Sequence, residues 1–289
     1  MEYVLQCPSK INLTLRITGT RKDGMHNIGS LFYKLPSVEK LTFRYIGTDN
    51  VRKDIFRVHG QVLDGKNILE AVLETARIRK PELPALEIDL WKEIPPGSGL
   101  GSGSGNAAAL AKWLFREAGV RFSREEISEM GADVPFLFDG DSLSFRSGTG
   151  ADAVSVFREP AWRPKVLVVI PRWSSVTRDA YRLADEAFGD PGWACSAEEA
   201  FEEGRRIAKS MEIGEEIGLL PNDFVQVLLN AHPEYAELFR IAEKSGAFAW
   251  GIGGSGSSFF CLFRGGFPAG VAGGLFARTG MVLKILELE

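Results

Sequence analysis

The sequence predicts an α/β or α+β protein in two parts, and three observations point there. Alternating apolar and polar residues mark strands near the start and again before a glycine-rich stretch. An alanine-rich amphipathic run follows that stretch directly. After "REPAWRP", 158–164, the pattern restarts with the apolar run "VLVVI" at 166–170. With 289 residues, 45% of them hydrophobic, the chain can form one large domain or two moderate ones, and the restart favours two.

In "KINLTLRIT", Ile11, Leu13, Leu15 and Ile17 share one face of a strand, and Lys10, Asn12, Thr14 and Arg16 share the other. The Asp23-Gly24 pair then reads as a hairpin turn. "ALEIDLWKEI" alternates again, with Leu86, Ile88 and Leu90 on one face, and ends at Pro95-Pro96. "NAAALAKWLFREAG" is a helix whose stripe is Ala107, Leu110, Ala111 and Leu114, stopped by Gly119. Ser123 and Glu126 have capping-box spacing, so a second helix starts there. Beyond the "VLVVI" strand, helical stretches are expected at 178–187, 197–211, 223–230 and 234–244, and late strands in "FAWGI", "SSFFCLF" and "MVLKILEL".

The formal charge of -4, with no long basic run, argues against a nucleic-acid partner. The odd, scattered cysteines Cys7, Cys195 and Cys261 and isolated histidines make a disulfide framework or zinc site unexpected and fit a reducing cytosol. The first residues lack the basic start and apolar core of a signal peptide, and no apolar run is long enough to cross a bilayer. A cytoplasmic protein without a membrane partner is expected.

The stretch "PPGSGLGSGSGNAAA" places glycine at every second position from Gly97 to Gly105. A linker would separate weakly patterned ends, but this stretch joins a strand to a helix. Backbone N–H groups at a helix start have no partners within the helix and sit at the positive end of its dipole. Glycines let them approach an anion closely, so the stretch reads as a phosphate site. A P-loop would need Lys-Ser or Lys-Thr after a glycine, and Lys112 lies well inside the helix. The Rossmann spacing fits Gly103, Gly105 and Ala108, but two prolines separate it from the strand.

The stretch resembles the second motif of the GHMP kinases, P-x-G-x-G-L-G-S/G-S-A/S. The resemblance extends to "PSKINLTLRITGTRKDGMHNIGSLF", 8–32, which is similar to the opening of one branch, the 4-diphosphocytidyl-2-C-methyl-D-erythritol kinases. "GADVPFLF" at 131–138, "NDF" at 222–224 and "GIGGSGSSFFCLF" at 251–263 resemble further segments of that branch, in its order. This implies a two-domain α+β fold. The N-terminal domain, 1–158, would be α/β with a left-handed-crossover, ribosomal-protein-like topology, and the C-terminal domain, 159–289, ferredoxin-like α+β. It implies transfer of the γ-phosphoryl group of ATP to a hydroxyl of the diphosphocytidyl substrate, a step of isoprenoid biosynthesis. Another small alcohol of the homoserine or mevalonate type, or a nucleotide-binding sensor without turnover, stays open.

The resemblance assigns roles residue by residue. Pro96, Gly97, Ser98, Gly99, Leu100, Gly101, Ser102, Gly103, Ser104, Gly105 and Asn106 would hold ATP, with Asn67 near the nucleotide. Asp133 would be the catalytic base with Lys10 beside it. From the residues alone, Asp133 before Val-Pro reads as a helix N-cap and Lys10 as a solvated strand lysine. Asn12, Met25, His26, Phe32 and Tyr181 would bind the acceptor, a small molecule with a cytidine diphosphate group whose cytosine His26 would recognise. Met25 stands where the branch has a tyrosine, and core roles compete for Phe32 and Tyr181. The branch's GGGSS(D/N)AA reads "GSGSGNAA" here, so Gly105 replaces a serine. Magnesium is expected from the chemistry, with no ligands assigned.

Overall fold

The turn expected at Asp23-Gly24 closes a hairpin, with Arg21 N–H donating to the Met25 carbonyl at 2.7 Å and Thr20 pairing with His26. The computed structural model describes residues 2–46, 53–62, 65, 67–188, 195–265 and 269–288. In chain order they form β1 (Glu2–Asn12), β2 (Arg16–Thr20), β3 (His26–Ile46), β4 (Ile55–His59), α1 (Ile68–Arg79) and β5 (Ala85–Trp91). Next come α2 (Ser102–Glu117), α3 (Arg124–Met130), α4 (Val134–Phe138), β6 (Leu143–Ser147), β7 (Asp152–Val156) and β8 (Lys165–Pro171). There follow α5 (Thr177–Phe188), α6 (Ala197–Ile213), β9 (Gly218–Leu219), α7 (Phe224–Ala231) and α8 (Tyr235–Lys244). The last elements are β10 (Ala249–Ile252), β11 (Phe259–Phe263), α9 (Ala269–Ala277) and β12 (Val282–Leu288). No helix among the described residues is long and apolar enough to cross a membrane.

The chain divides into two compact units: Met1–Lys10 with Pro36–Pro96 and Gly101–Gly140, and Ile11–Leu35 with Gly97–Leu100 and Asp141–Glu289. In the first unit β5 pairs antiparallel with β3 over Lys40–Ile46 and parallel with β4. The expected alternation in β5 holds, with Leu86, Ile88 and Leu90 at most 1% exposed. Its polar positions are paired, Glu87 with Arg44 and Arg57 in ion pairs and Asp89 with His59 through a 2.6 Å hydrogen bond. Helix α2 covers the apolar side: Trp113 meets Phe43 edge-on at 4.7 Å and Tyr3 at 4.9 Å.

In the second unit the earlier part of β3 pairs with β2 and β6. A five-stranded sheet runs β12-β8-β11-β10-β9, and its first four strands have the order and antiparallel pairing of a ferredoxin-like fold. The whole "VLVVI" run is buried, which explains why it lacks alternation. Its core gathers Leu167, Val169, Phe259, Phe263 and Phe276 with Phe224 and Leu238. The alternating run at Lys10–Thr18 is not one strand: β1 ends at Asn12 and β2 begins at Arg16. The expected polar face of that run is also interior, with Lys10, Asn12 and Thr14 all buried.

Candidate active site

Asp133 stands at the N-cap position of α4, as its Val-Pro context suggested, yet its side chain makes no capping hydrogen bond. Its Oδ2 instead lies 3.3 Å from Lys10 Nζ, with side chains 24% and 6% exposed. A lysine this deeply buried needs a polar partner, and the pair fixes the orientation of the carboxyl group. A Cβ on Gly101 would lie 2.9 Å from Asp133 Oδ2 and 3.1 Å from Lys10 Cε. The start of α2 therefore reaches the pair only because residue 101 has no side chain. Lys10, Asp133 and Gly101, all expected in one site, meet within the first unit.

Helix α2 begins at Ser102, well inside the glycine stretch. Its N-cap is Gly101, with φ 64°, a left-handed conformation that a side chain would strain. No side chain caps this end and no acidic residue occupies its first turn. The first N–H groups thus lack a capping side chain, which suits an anion, and the Asp133 carboxylate stands beside the same helix end at Gly101. Gly103 faces open space, whereas a Cβ on Gly105 would lie 1.7 Å from the Pro8 carbonyl oxygen. That contact explains the missing serine: β1 and α2 approach too closely to admit one. Asn106 is 1% exposed, and its Oδ1 has no partner. Asn67 caps α1, accepting from Leu69 N–H at 3.1 Å within a capping box, while its buried Nδ2 has no partner.

Within the second unit, residues 97–100 lie on the late glycine motif. Ser258 N–H donates to the Ser98 carbonyl at 3.1 Å, and Ser257 N–H to that of Gly97 at 3.3 Å. A Cβ on Gly99 would lie 1.7 Å from the Gly253 carbonyl oxygen. The glycines of the two motifs are therefore needed by each other, backbone against backbone.

The second unit also holds the residues expected to bind the acceptor. His26 stacks on Tyr181, ring centroids 4.7 Å apart at 23°, and its Nε2 lies 2.8 Å from Asp185 Oδ1. A carboxylate only accepts, so Nε2 carries the proton in that bond. Tyr181 meets Phe224 edge-on as well, so its ring belongs both to the core margin and to the His26 stack. Met25 is 57% exposed beside them. Phe32, by contrast, is 1% exposed and Asn12 3%. Strand β3 turns the Phe32 ring inward. Asn12 Nδ2 donates to Ser30 Oγ at 2.8 Å.

Sequence reasoning missed Asp185, although it follows Tyr181 by four residues on α5 and helical spacing would have placed the two together. It also missed the buried pair Glu39 and Lys92, whose partners are 53 positions apart and left no local signal. Among the described residues no cluster of three or more His, Cys, Asp or Glu could hold a metal ion.

Residues 66–143 match the family model of the GHMP kinases N terminal domain, and residues 197–269 that of the GHMP kinases C terminal region. The 4-diphosphocytidyl-2-C-methyl-D-erythritol kinase of Porphyromonas gingivalis is 30% identical over 272 residues, covering 89% of this chain and 90% of that protein. A crystal structure of a 4-(cytidine 5'-diphospho)-2C-methyl-D-erythritol kinase has the same fold, with TM-score 0.77 at 23% identity over 100% of this chain and 98% of that one. Homoserine kinase from Cytophaga hutchinsonii is similar at TM-score 0.69 and 15% identity, over 100% and 94%. With both family models matched in order and the P. gingivalis relative aligned across nearly its whole length, the chain belongs to the GHMP kinases, in the family of 4-diphosphocytidyl-2-C-methyl-D-erythritol kinases.

Proposed function

We propose that this chain transfers the γ-phosphoryl group of ATP to a hydroxyl of 4-diphosphocytidyl-2-C-methyl-D-erythritol, in the methylerythritol phosphate route of isoprenoid biosynthesis in the cytoplasm. The observation that carries this reading is the Lys10–Asp133 pair against Gly101 at the start of α2. Asp133 accepts the proton of the acceptor hydroxyl as its oxygen attacks the γ-phosphorus, and the bond from that phosphorus to the β–γ bridging oxygen breaks, releasing ADP. Lys10 holds Asp133 aimed. The glycine stretch holds the phosphates by backbone N–H groups, and the unpartnered Asn67 Nδ2 supports a contact to the nucleotide. Magnesium, expected from the chemistry, would be bound through the phosphates and water, with no residue of this chain assigned to it. It would neutralise phosphate charge.

The division into domains 1–158 and 159–289 belongs to the same reading. So does cytosine recognition by His26 on the Tyr181 ring, with Met25 in place of an aromatic cover. Losing one stacking ring costs on the order of 1–3 kcal/mol. Tyr181→Ala should therefore raise KM for the diphosphocytidyl substrate by about 5- to 150-fold while ATP affinity stays unchanged. Steady-state kinetics and titration with an ATP analogue check both halves. ADP release measured with the diphosphocytidyl substrate, homoserine and mevalonate tests the acceptor. Turnover confined to homoserine or mevalonate would replace the cytidine reading, and no turnover with any acceptor would leave a nucleotide-binding sensor.

A further inference from the structure

A second buried ion pair lies in the first unit. Lys92, the residue after β5, donates to both Glu39 carboxylate oxygens at 2.9 Å, and the two side chains are only 4% and 1% exposed. Burial, and then the Glu39 charge, pushes the nearby Cys7 thiol up to about 12, so water screens this place poorly. Ions so placed need hydrogen-bonding partners, and the partners here are informative. Glu39 Oε1 also accepts from the backbone N–H groups of Glu93 at 3.2 Å and Ile94 at 2.9 Å. The remaining Lys92 donor goes to Ser102 Oγ at 2.7 Å. An ammonium has three donors and cannot accept, so Ser102 must accept here.

Glu93 and Ile94 are where the chain leaves β5 for the glycine stretch, and Ser102 is where it re-enters as the first residue of α2. One ion pair thus ties both stems of that stretch. For stability alone, a well-packed apolar pair would serve as well or better. What the ions add is direction, because each bond fixes a particular backbone position. We propose that Glu39, Lys92 and Ser102 form a positioning clamp that sets the start of α2 for binding the nucleotide's phosphates. This rests on the phosphate reading of the glycine stretch. None of the three need touch the nucleotide; they act through the N–H groups they hold in place.

The test compares the full-length protein with its Ser102→Ala and Ser102→Thr variants, by calorimetric titration with a non-hydrolysable ATP analogue and by steady-state kinetics. Ser102→Ala is expected to raise the analogue Kd and the KM for ATP by about 5- to 30-fold. The KM for the acceptor should stay unchanged, and Ser102→Thr, which keeps the hydroxyl, should recover most of the loss. Were Ser102→Ala not to fold, Ser102→Cys, with a weakly accepting thiol of similar size, carries the same expectation. A variant that loses thermal stability but binds the analogue like the wild type would reduce the clamp to an ordinary buried pair and overturn the proposal. If the wild-type protein itself does not bind the analogue, the phosphate reading fails, an outcome separate from normal wild-type binding with an unaffected variant.

Discussion

Asp133→Asn is expected to lower kcat by about 10²–10⁴-fold, the usual worth of a general base. An alcohol is a poor nucleophile at neutral pH, and asparagine can still accept a hydrogen bond but cannot take its proton. The alternative role would be helix capping, at which asparagine is as good as aspartate. Since the Asp133 side chain makes no capping bond, its replacement removes nothing from α4. It does neutralise the partner of a buried ammonium, so some stability loss should accompany the lost rate. Lys10→Met should also slow turnover, and the double variant should lose less than the product of the single losses if the two act as one unit. Single-turnover measurements at saturating ATP check this. An Asp133→Asn protein that turns over at the wild-type rate would remove the base and leave only positioning.

Local signals in this sequence were readable where one element carries them alone. The capping box at Ser123 and Glu126, the alternation in β5 and the late strands all formed where periodicity placed them. The start of α2 was not readable from propensity, because glycine disfavours helix interiors. What puts Ser102 to Gly105 into the helix is packing of Gly105 on Pro8, about a hundred positions away in sequence. Strand β3 was hidden for a similar reason. Its 21 residues include Gly29 and Pro36, and its two parts pair with different strands, so no single alternation runs through it. In the site, motif resemblance supplied Lys10 and Asp133, but only the folded chain settles that the aspartate faces the lysine and not its own helix. Asp185 stands one helical turn after Tyr181, a spacing that could have been read, whereas Glu39 and Lys92 act on each other from positions remote in sequence and no pattern of spacing announces them.

The Gly105→Ser substitution, which would restore the serine of the family pattern, should destabilise the protein. Helix propensity alone argues the opposite, since serine is better than glycine in a helix by a few tenths of a kcal/mol, up to about 0.5. Sterics outweigh it. The added Cβ would meet the Pro8 carbonyl oxygen at 1.7 Å and its carbon at 2.9 Å. Both are backbone atoms of a paired strand and cannot rotate aside. Overpacking of this kind costs about 1–3 kcal/mol or more, which for a protein of this size lowers Tm by about 2–4 °C per kcal/mol. Gly103→Ser is the internal control: nothing lies within 4 Å of its Cβ position, so the same exchange two residues earlier should leave Tm equal or slightly higher. Catalysis should follow the same contact. Pro8 and Lys10 point to the same face of β1, and Gly101 and Gly105 are one helical turn apart, so the approach that excludes a side chain at 105 also seats Lys10 against Gly101 and Asp133. Pushing β1 away from α2 should misplace Lys10 and lower kcat along with stability. Thermal denaturation and kcat of both variants decide the matter, and a Gly105→Ser protein as stable and active as the wild type would mean that β1 does not hold α2 in this way.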